Sequence, residues 1–319
     1  SKHDYHYIYN EIIAEKNPNK LGYTKTVICS LHDSLKKHNR APEIDIRGGG
    51  DAQIVSSYMI PQKVYHIILD CITEQQVLSE YYKKALSIVT ILLYRTGMRI
   101  SEILGLQVKD IEYDNQSFTE YNVIVRPNAH RDLKSDDGTR RIYLSVLLLA
   151  EELEVFKSFF HLKKRQSSRY LFTLAYQSSV MSRYSIEQPL KRILKNTAYH
   201  DLTLHSFRHN AISNMALILR CSPMLVMQFT DYDEIKIHDI KTHFLGKVRS
   251  VSTNYWDALM EFAGHADLNT TFSSYIHTAD IIASHQLQQA KLTLPLDVVN
   301  KLIGTSRIDL KQHNTLALE

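Results

Sequence analysis

The chain of 319 residues is long enough for two domains and for a sizeable hydrophobic core. Its hydrophobic content of 44% and charged content of 23% are those of an ordinary globular protein, and no run of eighteen apolar residues predicts a membrane span. Three dispersed cysteines argue against a disulfide framework or a zinc site with paired ligands, and favour a reducing, intracellular compartment. The net charge of +4 permits a polyanionic partner without requiring one.

Residues 1–50 predict a helical segment followed by a linker. Helical patterns cover Tyr7–Ile13 and Thr26–Lys37, and the polar stretch "RGGGDAQ" then supplies three consecutive glycines. Because such a run makes a flexible joint, we expect a domain boundary there, with a second domain over residues 51–285.

That second domain begins with helices and continues with strands. Apolar residues at helical spacing predict helices over Met59–Ile72 and Ser79–Gly97, with Gly97 as the C-cap of the second. Two β-branched and aromatic stretches, Tyr121–Pro127 and Thr139–Ser145, flank the turn sequence "SDDG" and predict an antiparallel pair. Further helices are predicted over Val146–Phe160, Ile186–Lys195, Ser206–Ile218 and Leu296–Ile303. The predicted fold is therefore mainly α with a small antiparallel β-sheet.

Two cationic residues stand at positions where an anion could bind. Arg99, in "TGMRISE", follows a glycine break at the start of a predicted helix, where backbone N–H groups and a guanidinium can face the same anion. Lys134, in "LKSDDGTRRIYL", leads into the tight turn of the predicted hairpin. Taken alone, each is most simply a solvated or capping residue.

Two further segments carry histidines beside other reactive groups. In "LTLHSFRHNAIS", His205 and Arg208 are three residues apart, so a helix would place them on one face, among neighbours that are expected to be buried. In "AGHADLNTTFSSYIHT", His265 follows a glycine, and Tyr275 lies on the helix that Asp267 or Asn269 would cap. A tyrosine in such a setting is otherwise a core aromatic.

The order Arg, Lys, His-x-x-Arg, Gly-His and Tyr resembles the tyrosine recombinase (phage integrase) family over roughly Ser56 to Thr278. The resemblance implies a catalytic domain whose active-site residues are Arg99, Lys134, His205, Arg208, His265 and Tyr275, with Glu102 in a supporting role. It implies DNA cleavage and rejoining through a 3′-phosphotyrosine, with Tyr275 as nucleophile, and neither ATP, metal nor other cofactor. Tyr255 and Tyr232 are competing nucleophiles, although neither follows a Gly-His pair.

The residue types suit that chemistry. Guanidiniums match phosphate oxygens bidentately and stay charged at any working pH, so Arg99 and Arg208 would neutralise the scissile phosphate, with a further hydrogen bond from His265. A tyrosine hydroxyl with a pKa near 10 needs help to lose its proton. His205 is the candidate for that help, or else a buried orienting residue, and Lys134 is the candidate general acid for the leaving 5′ oxygen.

The sequence departs from the family pattern in two places. Arg208 and His265 are 57 residues apart, which is long for the family, so residues 220–258 are interpreted as an insertion. Its alternating charges favour a solvated excursion, or else a contact surface carrying Lys236, Lys241, Lys247 and Arg249. Residues 1–50 are too few for the family's full core-binding domain, and we expect them to be the end of one.

The remaining predictions concern partners. Double-stranded DNA is the expected partner, with phosphate contacts from Lys191, Arg192, Lys195 and Arg140, in a homo-oligomer of dimers or a tetramer on DNA and with no membrane contact. Residues 286–319 are predicted as a helical tail that packs on its own domain or on the next protomer. We expect a cytoplasmic, nucleoid-associated protein of a bacterial mobile element.

Two other functions fit the same residues. A type IB-like topoisomerase or a telomere resolvase would use the same phosphotyrosine chemistry for another outcome. A non-catalytic DNA-binding protein could keep the fold, although the presence of all six candidate residues weakens that alternative.

Overall fold

The computed structural model divides the chain into two compact units, residues 1–56 and residues 57–319. In the first unit, His32 is buried and bridges Tyr9 and Pro42, with its Nδ1 atom 2.9 Å from the tyrosine hydroxyl and its Nε2 atom 3.1 Å from the carbonyl oxygen of Pro42. The structure describes residues 5, 7–9, 11–12, 28, 31–32, 34–37, 42, 59–114, 120–130, 139–174, 177–195, 197, 199–246, 255–265 and 276–290, and the backbone of residues 293–295 and 315–317.

Helices dominate the second unit. In chain order they are α1 (Gln62–Glu74), α2 (Glu80–Thr96), α3 (Ile100–Leu104), α4 (Leu144–Leu147), α5 (Ala150–Arg165), α6 (Arg183–Leu194), α7 (Leu204–Arg220), α8 (Pro223–Val226), α9 (Glu234–Leu245), α10 (Tyr255–Ala263) and α11 (Ala279–Gln289).

A three-stranded antiparallel sheet interrupts the helices, in the order β1 (Ile111–Tyr113), β2 (Tyr121–Val125) and β3 (Arg140–Tyr143). The central strand β2 buries every second residue against the helices, and Val123 pairs with Ile111 on one side and Ile142 on the other. The predicted fold class, mainly helical with a small antiparallel sheet, is therefore confirmed.

Two buried helices, α2 and α7, form the centre of the core. Helix α2 begins at Ser79, whose hydroxyl accepts a hydrogen bond from Tyr82 N, and it ends at Gly97 in the left-handed conformation. Helix α7 begins at Thr203, which is capped reciprocally with Ser206, and nearly all of its residues are buried. Both helices are packed on nearly all sides, so the C-terminal end of α2 and the first turns of α7 are held in place. The candidate site is built on these two helix ends.

The interpretation of residues 220–258 as a solvated excursion is wrong for residues 220–246, and residues 255–258, which the structure also describes, begin helix α10. Helix α9 buries Ile237 and Ile240 in the core, and the loop before it buries Tyr232. The two lysines proposed there for an external contact instead bind carbonyls of their own domain, Lys236 Nζ at 3.1 Å from Ser145 O and Lys241 Nζ at 2.5 Å from Cys221 O. Lys247 and Arg249 lie outside the described residues.

In the described part of the tail, a helical stretch is followed by two short strands. Helix α11 extends to Gln289, and two short strands then pair antiparallel, β4 (Thr293–Pro295) with β5 (Thr315–Ala317). The helix predicted over Leu296–Ile303 lies outside the described residues. In the part of the chain that the structure describes, none of the helices combines the length and the apolar character that a membrane crossing requires.

Candidate active site

The first arginine of the site is presented by a sharp change of direction between two helices. Gly97 closes α2 with a φ of 61°, and two residues later Arg99 is the N-cap residue of α3. Glu102, in the first turn of α3, accepts a hydrogen bond from Arg99 N at 2.9 Å and pairs with its guanidinium at 2.8 Å. The cap and the ion pair together hold Arg99, whose side chain stays 29% exposed.

Glu102 also binds a second arginine, which comes from the sheet. Arg140, the first residue of β3, places Nη2 2.8 Å from Glu102 Oε2 and is only 6% exposed. Burial alone would raise the pKa of Glu102, but the Arg140 and Arg208 guanidiniums outweigh it and lower that pKa to about 2. The carboxylate is therefore charged at any physiological pH, and it orients two guanidiniums at once.

Arg208 lies on the second turn of α7 and is 1% exposed. Its Nη2 atom donates to the carbonyl oxygen of Ala263 at 2.7 Å, and its Nη1 atom donates to the carbonyl oxygen of Gly97. These two carbonyls end α10 and α2, where helical carbonyls lack partners within their own helix. Arg208 therefore ties three helices together at the site.

His265 completes the group at the end of α10. Its Nε2 atom lies 2.8 Å from Arg208 Nη2. Burial lowers the pKa of His265 to about 3, and the charges of Arg208 and Arg99 reinforce the effect. The ring is therefore neutral at pH 7, and because an arginine can only donate, Nε2 accepts and the ring proton is on Nδ1.

Gly264 gives this cluster its compactness. It has a φ of 64°, and a Cβ atom at this position would lie 2.6 Å from Arg140 Nη1. Only glycine therefore lets the chain bring His265 beside the arginines without displacing Arg140.

The described residues of this cluster carry three guanidiniums, one carboxylate and one neutral imidazole. We call Arg99, Glu102, Arg140, Arg208 and His265 the arginine pocket. Its formal charge of about +2 follows from these protonation states. Such an excess of positive charge in a partly desolvated position suits an anion that accepts several hydrogen bonds, such as a phosphate diester.

The structure brings together four of the seven predicted site residues, Arg99, Glu102, Arg208 and His265. His205, on the first turn of α7, is exposed, which excludes the buried orienting role proposed for it as an alternative. Its neighbours Leu204, Phe207, Ala211 and Ile212 are buried as expected. Lys134 and Tyr275 lie outside the described residues.

The competing tyrosines are placed differently from each other. Tyr232 is buried, donates to Leu147 O at 2.5 Å and has its pKa raised by burial, so it cannot act as an external nucleophile. Tyr255 is 36% exposed at the start of α10, with the Arg220 guanidinium 4.7 Å from its ring centroid.

The surface residues predicted to contact DNA fall into two groups. Lys191, Arg192 and Lys195 are exposed at the end of α6, and Lys191 pairs with Glu187 at 2.9 Å. Arg140, by contrast, is buried against Glu102, so it lies in the arginine pocket and not on the exposed surface predicted to contact DNA. In the described ranges, no group of three His, Cys, Asp or Glu side chains could hold a metal ion.

Sequence reasoning missed the carbonyls of Gly97 and Ala263 as partners of Arg208, because backbone acceptors leave no residue-type signal. It named Arg140 only as a DNA contact and missed its place beside Glu102, although the arginine pair in "TRRIYLS" opens a strand whose alternation turns the first arginine inward and the second outward.

The sequence model of the phage integrase family matches residues 59–244, which is more than half of the chain and includes the elements that carry Arg99, Arg140 and Arg208. The chain belongs to the phage integrase family. No curated protein sequence gives a significant match to it.

Solved tyrosine recombinases share the fold of this family member. The Tn1549 transposon integrase in complex with transposon right end DNA matches with a TM-score of 0.54 and 17% identity, over 86% of this chain and 80% of that one. The XerH site-specific recombinase bound to difH substrate, in a pre-cleavage complex, matches with a TM-score of 0.52 and 15% identity, over 91% of this chain and 68% of that one. At these identities the likeness establishes the fold.

Proposed function

We propose that this phage integrase family member is a site-specific recombinase that cuts and rejoins double-stranded DNA through a 3′-phosphotyrosine at Tyr275. The observation that carries the proposal is the arginine pocket, in which three guanidiniums surround one carboxylate beside a neutral histidine. A buried site with surplus positive charge is costly unless an anion completes it. A DNA phosphate supplies that anion.

In the proposed reaction, Arg99 and Arg208 bind the non-bridging oxygens of one phosphodiester, and His265 donates a further hydrogen bond from Nδ1. The phenolic oxygen of Tyr275 forms a bond to phosphorus while the bond from phosphorus to the 5′ oxygen breaks. His205, exposed on the first turn of α7, accepts the phenolic proton, and Lys134 gives a proton to the leaving 5′ oxygen.

Rejoining reverses these steps. The 5′ hydroxyl of a second strand attacks the phosphotyrosine, the ester to Tyr275 breaks, and the phenol recovers its proton. One P–O bond forms for each that breaks, so strand exchange needs no external energy source. We assign Arg140 and Glu102 the task of holding Arg99, since Glu102 binds both guanidiniums.

The partner is double-stranded DNA, and the exposed cations Lys191, Arg192 and Lys195 are proposed to contact its phosphates. A mobile element is the proposed setting, since the fold is shared with a transposon integrase bound to transposon end DNA. Exchange of two duplexes calls for several active sites, so we propose a homo-oligomer on DNA, acting on the bacterial nucleoid.

The test is a suicide substrate, a duplex with the recognition site of the element and a nick placed so that the cleaved fragment diffuses away. The wild-type protein should form a covalent adduct that survives a denaturing gel, and Tyr275→Phe should form none. Tyr255→Phe, which removes the exposed competitor, should keep the adduct. If Tyr275→Phe forms the adduct at the wild-type rate, Tyr275 is not the nucleophile.

The products on an unnicked substrate distinguish the outcomes of the same chemistry. Exchanged strands support a recombinase, whereas relaxed circles alone or hairpin ends would assign the chain to topoisomerase or resolvase activity.

A further inference from the structure

Two histidines that the proposed reaction does not use meet beside the nucleophile segment. His209 follows Arg208 directly on α7 and is 4% exposed. Its Nδ1 atom lies 3.0 Å from Nε2 of His277, which is two positions after Tyr275 in the chain. The two rings are stacked at 28° with their centroids 5.1 Å apart. Such a pair of a buried and a partly buried histidine is specific, because one ring must donate and the other must accept.

A serine one turn further along α7 binds the same segment. Ser213 Oγ accepts a hydrogen bond from the backbone N–H of His277 at 3.0 Å, and the carbonyl oxygen of Ser213 accepts one from Thr278 Oγ1 at 3.4 Å. Ile276 and Thr278 are both buried. Two of the three residues that follow Tyr275, His277 and Thr278, are therefore hydrogen-bonded to the helix that carries Arg208.

The rest of α11 is held by separate contacts. His285 Nε2 accepts a hydrogen bond from Ser222 N at 3.1 Å, and Gln286 Nε2 donates to Arg220 O at 2.7 Å. Helix α11 therefore packs on its own domain, with one set of contacts just before its start and another at His285 and Gln286. The attachment at His209 is the one next to Tyr275.

We infer that His209 is a positioning residue for the nucleophile: with Ser213 it holds His277 and thereby sets where the phenolic oxygen of Tyr275 lies relative to the phosphate bound by Arg208. We call His209, Ser213, His277 and Thr278 the histidine clamp. The inference rests on the proposed function, because it assigns the clamp to the segment of the proposed nucleophile.

The local geometry explains why a histidine suits this role. Its ring reaches the nucleophile segment from a helix position adjacent to Arg208, so one turn of α7 orients both the phosphate ligand and the nucleophile. His205 packs edge-on against the ring of His209, with centroids 4.5 Å apart, which restricts the rotation of that ring. Misplacing a reacting atom by about 1 Å costs about 100-fold in rate, so such a support has a large effect on cleavage.

The experiment compares clamp variants on the suicide substrate. His209→Leu and His277→Leu should each slow adduct formation by about 10- to 100-fold, while affinity for the uncleaved site stays within about two-fold of wild type. His209→Asn keeps a hydrogen-bonding group near the Nδ1 position, and His277→Gln keeps one near Nε2, so these two variants should retain most of the rate. The double leucine variant should be no slower than the slower single variant, because both remove the same bond.

The matched control is His285→Leu. It removes the other histidine attachment of α11, far along the helix from Tyr275, and should lower the thermal midpoint about as much as His209→Leu without slowing cleavage. A His285→Leu variant as slow as His209→Leu would reduce the clamp to general support of the fold and overturn the inference.

A modified substrate separates nucleophile positioning from leaving-group chemistry. With sulfur in place of the bridging 5′ oxygen, the leaving group departs without a proton, so a defect in the general acid is bypassed. The His209→Leu defect should persist on this substrate, whereas full rescue would overturn the inference. If His209→Leu forms the adduct at the wild-type rate and Tyr275→Phe forms none, the inference about the histidine clamp is wrong and the proposed function stands. An active Tyr275→Phe would remove both.

Discussion

Arg95 and Arg99 are four residues apart, but their surroundings differ in charge and in exposure. Arg95, on the last turn of α2, is bound by two carboxylates, with Nη2 2.8 Å from Glu152 Oε1 and 2.7 Å from Asp231 Oδ2. Its guanidinium also lies within 5.1 Å of the ring centroids of Tyr65, Tyr94 and Tyr232. Two carboxylates bind the single guanidinium of Arg95. The arginine pocket has the opposite balance, with three guanidiniums and one carboxylate.

The difference separates an arginine that holds the fold from the arginines that are proposed to bind a phosphate. A guanidinium enclosed by carboxylates and aromatic faces has no capacity left for a phosphate. The arginine pocket keeps that capacity because Glu102 orients its guanidiniums without neutralising them. The Arg95 cluster also joins the loop containing Asp231 to the core, which explains why residues 220–246 pack as part of the domain.

The largest effect on stability is expected from a substitution of Arg95. Arg95→Leu leaves Glu152 and Asp231 buried without their cation, so the free energy of unfolding should fall by about 3–5 kcal/mol. Urea unfolding followed by circular dichroism measures it. A loss below about 1 kcal/mol would mean that the cluster contributes little to stability.

The matched substitution four residues on should act on activity. Arg99→Leu removes a half-exposed guanidinium while Arg140 stays on Glu102, so the free energy of unfolding should change by less than about 1 kcal/mol. Adduct formation on the suicide substrate should slow by about 10²- to 10³-fold, the usual effect of losing one donor to the transition state. Equal stability losses in Arg95→Leu and Arg99→Leu would erase the distinction between the two clusters.

The pH dependence of stability is expected to report the partly buried, neutral His265. The pKa of His265 is lowered from 6.5 to about 3, so between these values the unfolded chain binds a proton that the folded protein does not. The folded state therefore loses stability as pH falls through this window, by at most about 1.4 kcal/mol for each pH unit. Above pH 6.5 the histidine is neutral in both states, so it causes no loss of stability there.

His265→Gln keeps an acceptor for Arg208 and removes the titration, so its unfolding free energy should vary less steeply than wild type. The range between pH 6.5 and 4.5 is the most informative, because Glu102, whose ordinary pKa is 4.5, contributes only below it. Parallel pH profiles for the two proteins would contradict a neutral His265.

A smaller effect on stability is expected at Gly264, which allows the chain to pass close to Arg140. Gly264→Ala combines a left-handed backbone with a contact on Arg140, so it should cost about 1–2 kcal/mol of stability and also slow cleavage. Gly246→Ala is the control, since Gly246 also has a positive φ, of 78°, but no heavy atom lies within 4 Å of its added Cβ. Cleavage by Gly246→Ala should match wild type; equal slowing in both variants would exclude the contact with Arg140 as the cause.

The smallest expected effect lies on the exposed face of α6. Replacing Arg192 and Lys195 together by alanine should weaken binding to specific and random duplexes alike, and should reduce the slope of log affinity against log salt by about 2. Fluorescence anisotropy over a salt series measures both. An unchanged slope would place these two cations away from DNA.

The sequence was sufficient to predict the parts of the site that depend on local order. Gly97 ends a helix and Arg99 begins the next, and both features follow from capping rules applied to "TGMRISE". His205 and Arg208 share a turn because of helical spacing. Strands β2 and β3 were predicted because β-branched residues flank a turn sequence, whereas β1 was not predicted.

Contacts distant in the chain could not be predicted in the same way. The pairing of Asp231 with Arg95 decides that the supposed insertion is core, yet alternating charge is also typical of a solvated helix. Burial of Arg140 depends on the register between strands and on the path of the chain at Gly264. The clamp between His209 and His277 depends on how the segment before α11 returns to α7, which no local pattern specifies.

The double attachment of Arg208 to the carbonyls of Gly97 and Ala263 makes cleavage conditional on complete folding. A chain in which α2 or α10 has frayed loses the acceptors that aim this guanidinium, and with them the geometry for attacking a phosphate. For the proposed recombinase, strand cleavage is thereby confined to copies of the chain that have folded completely.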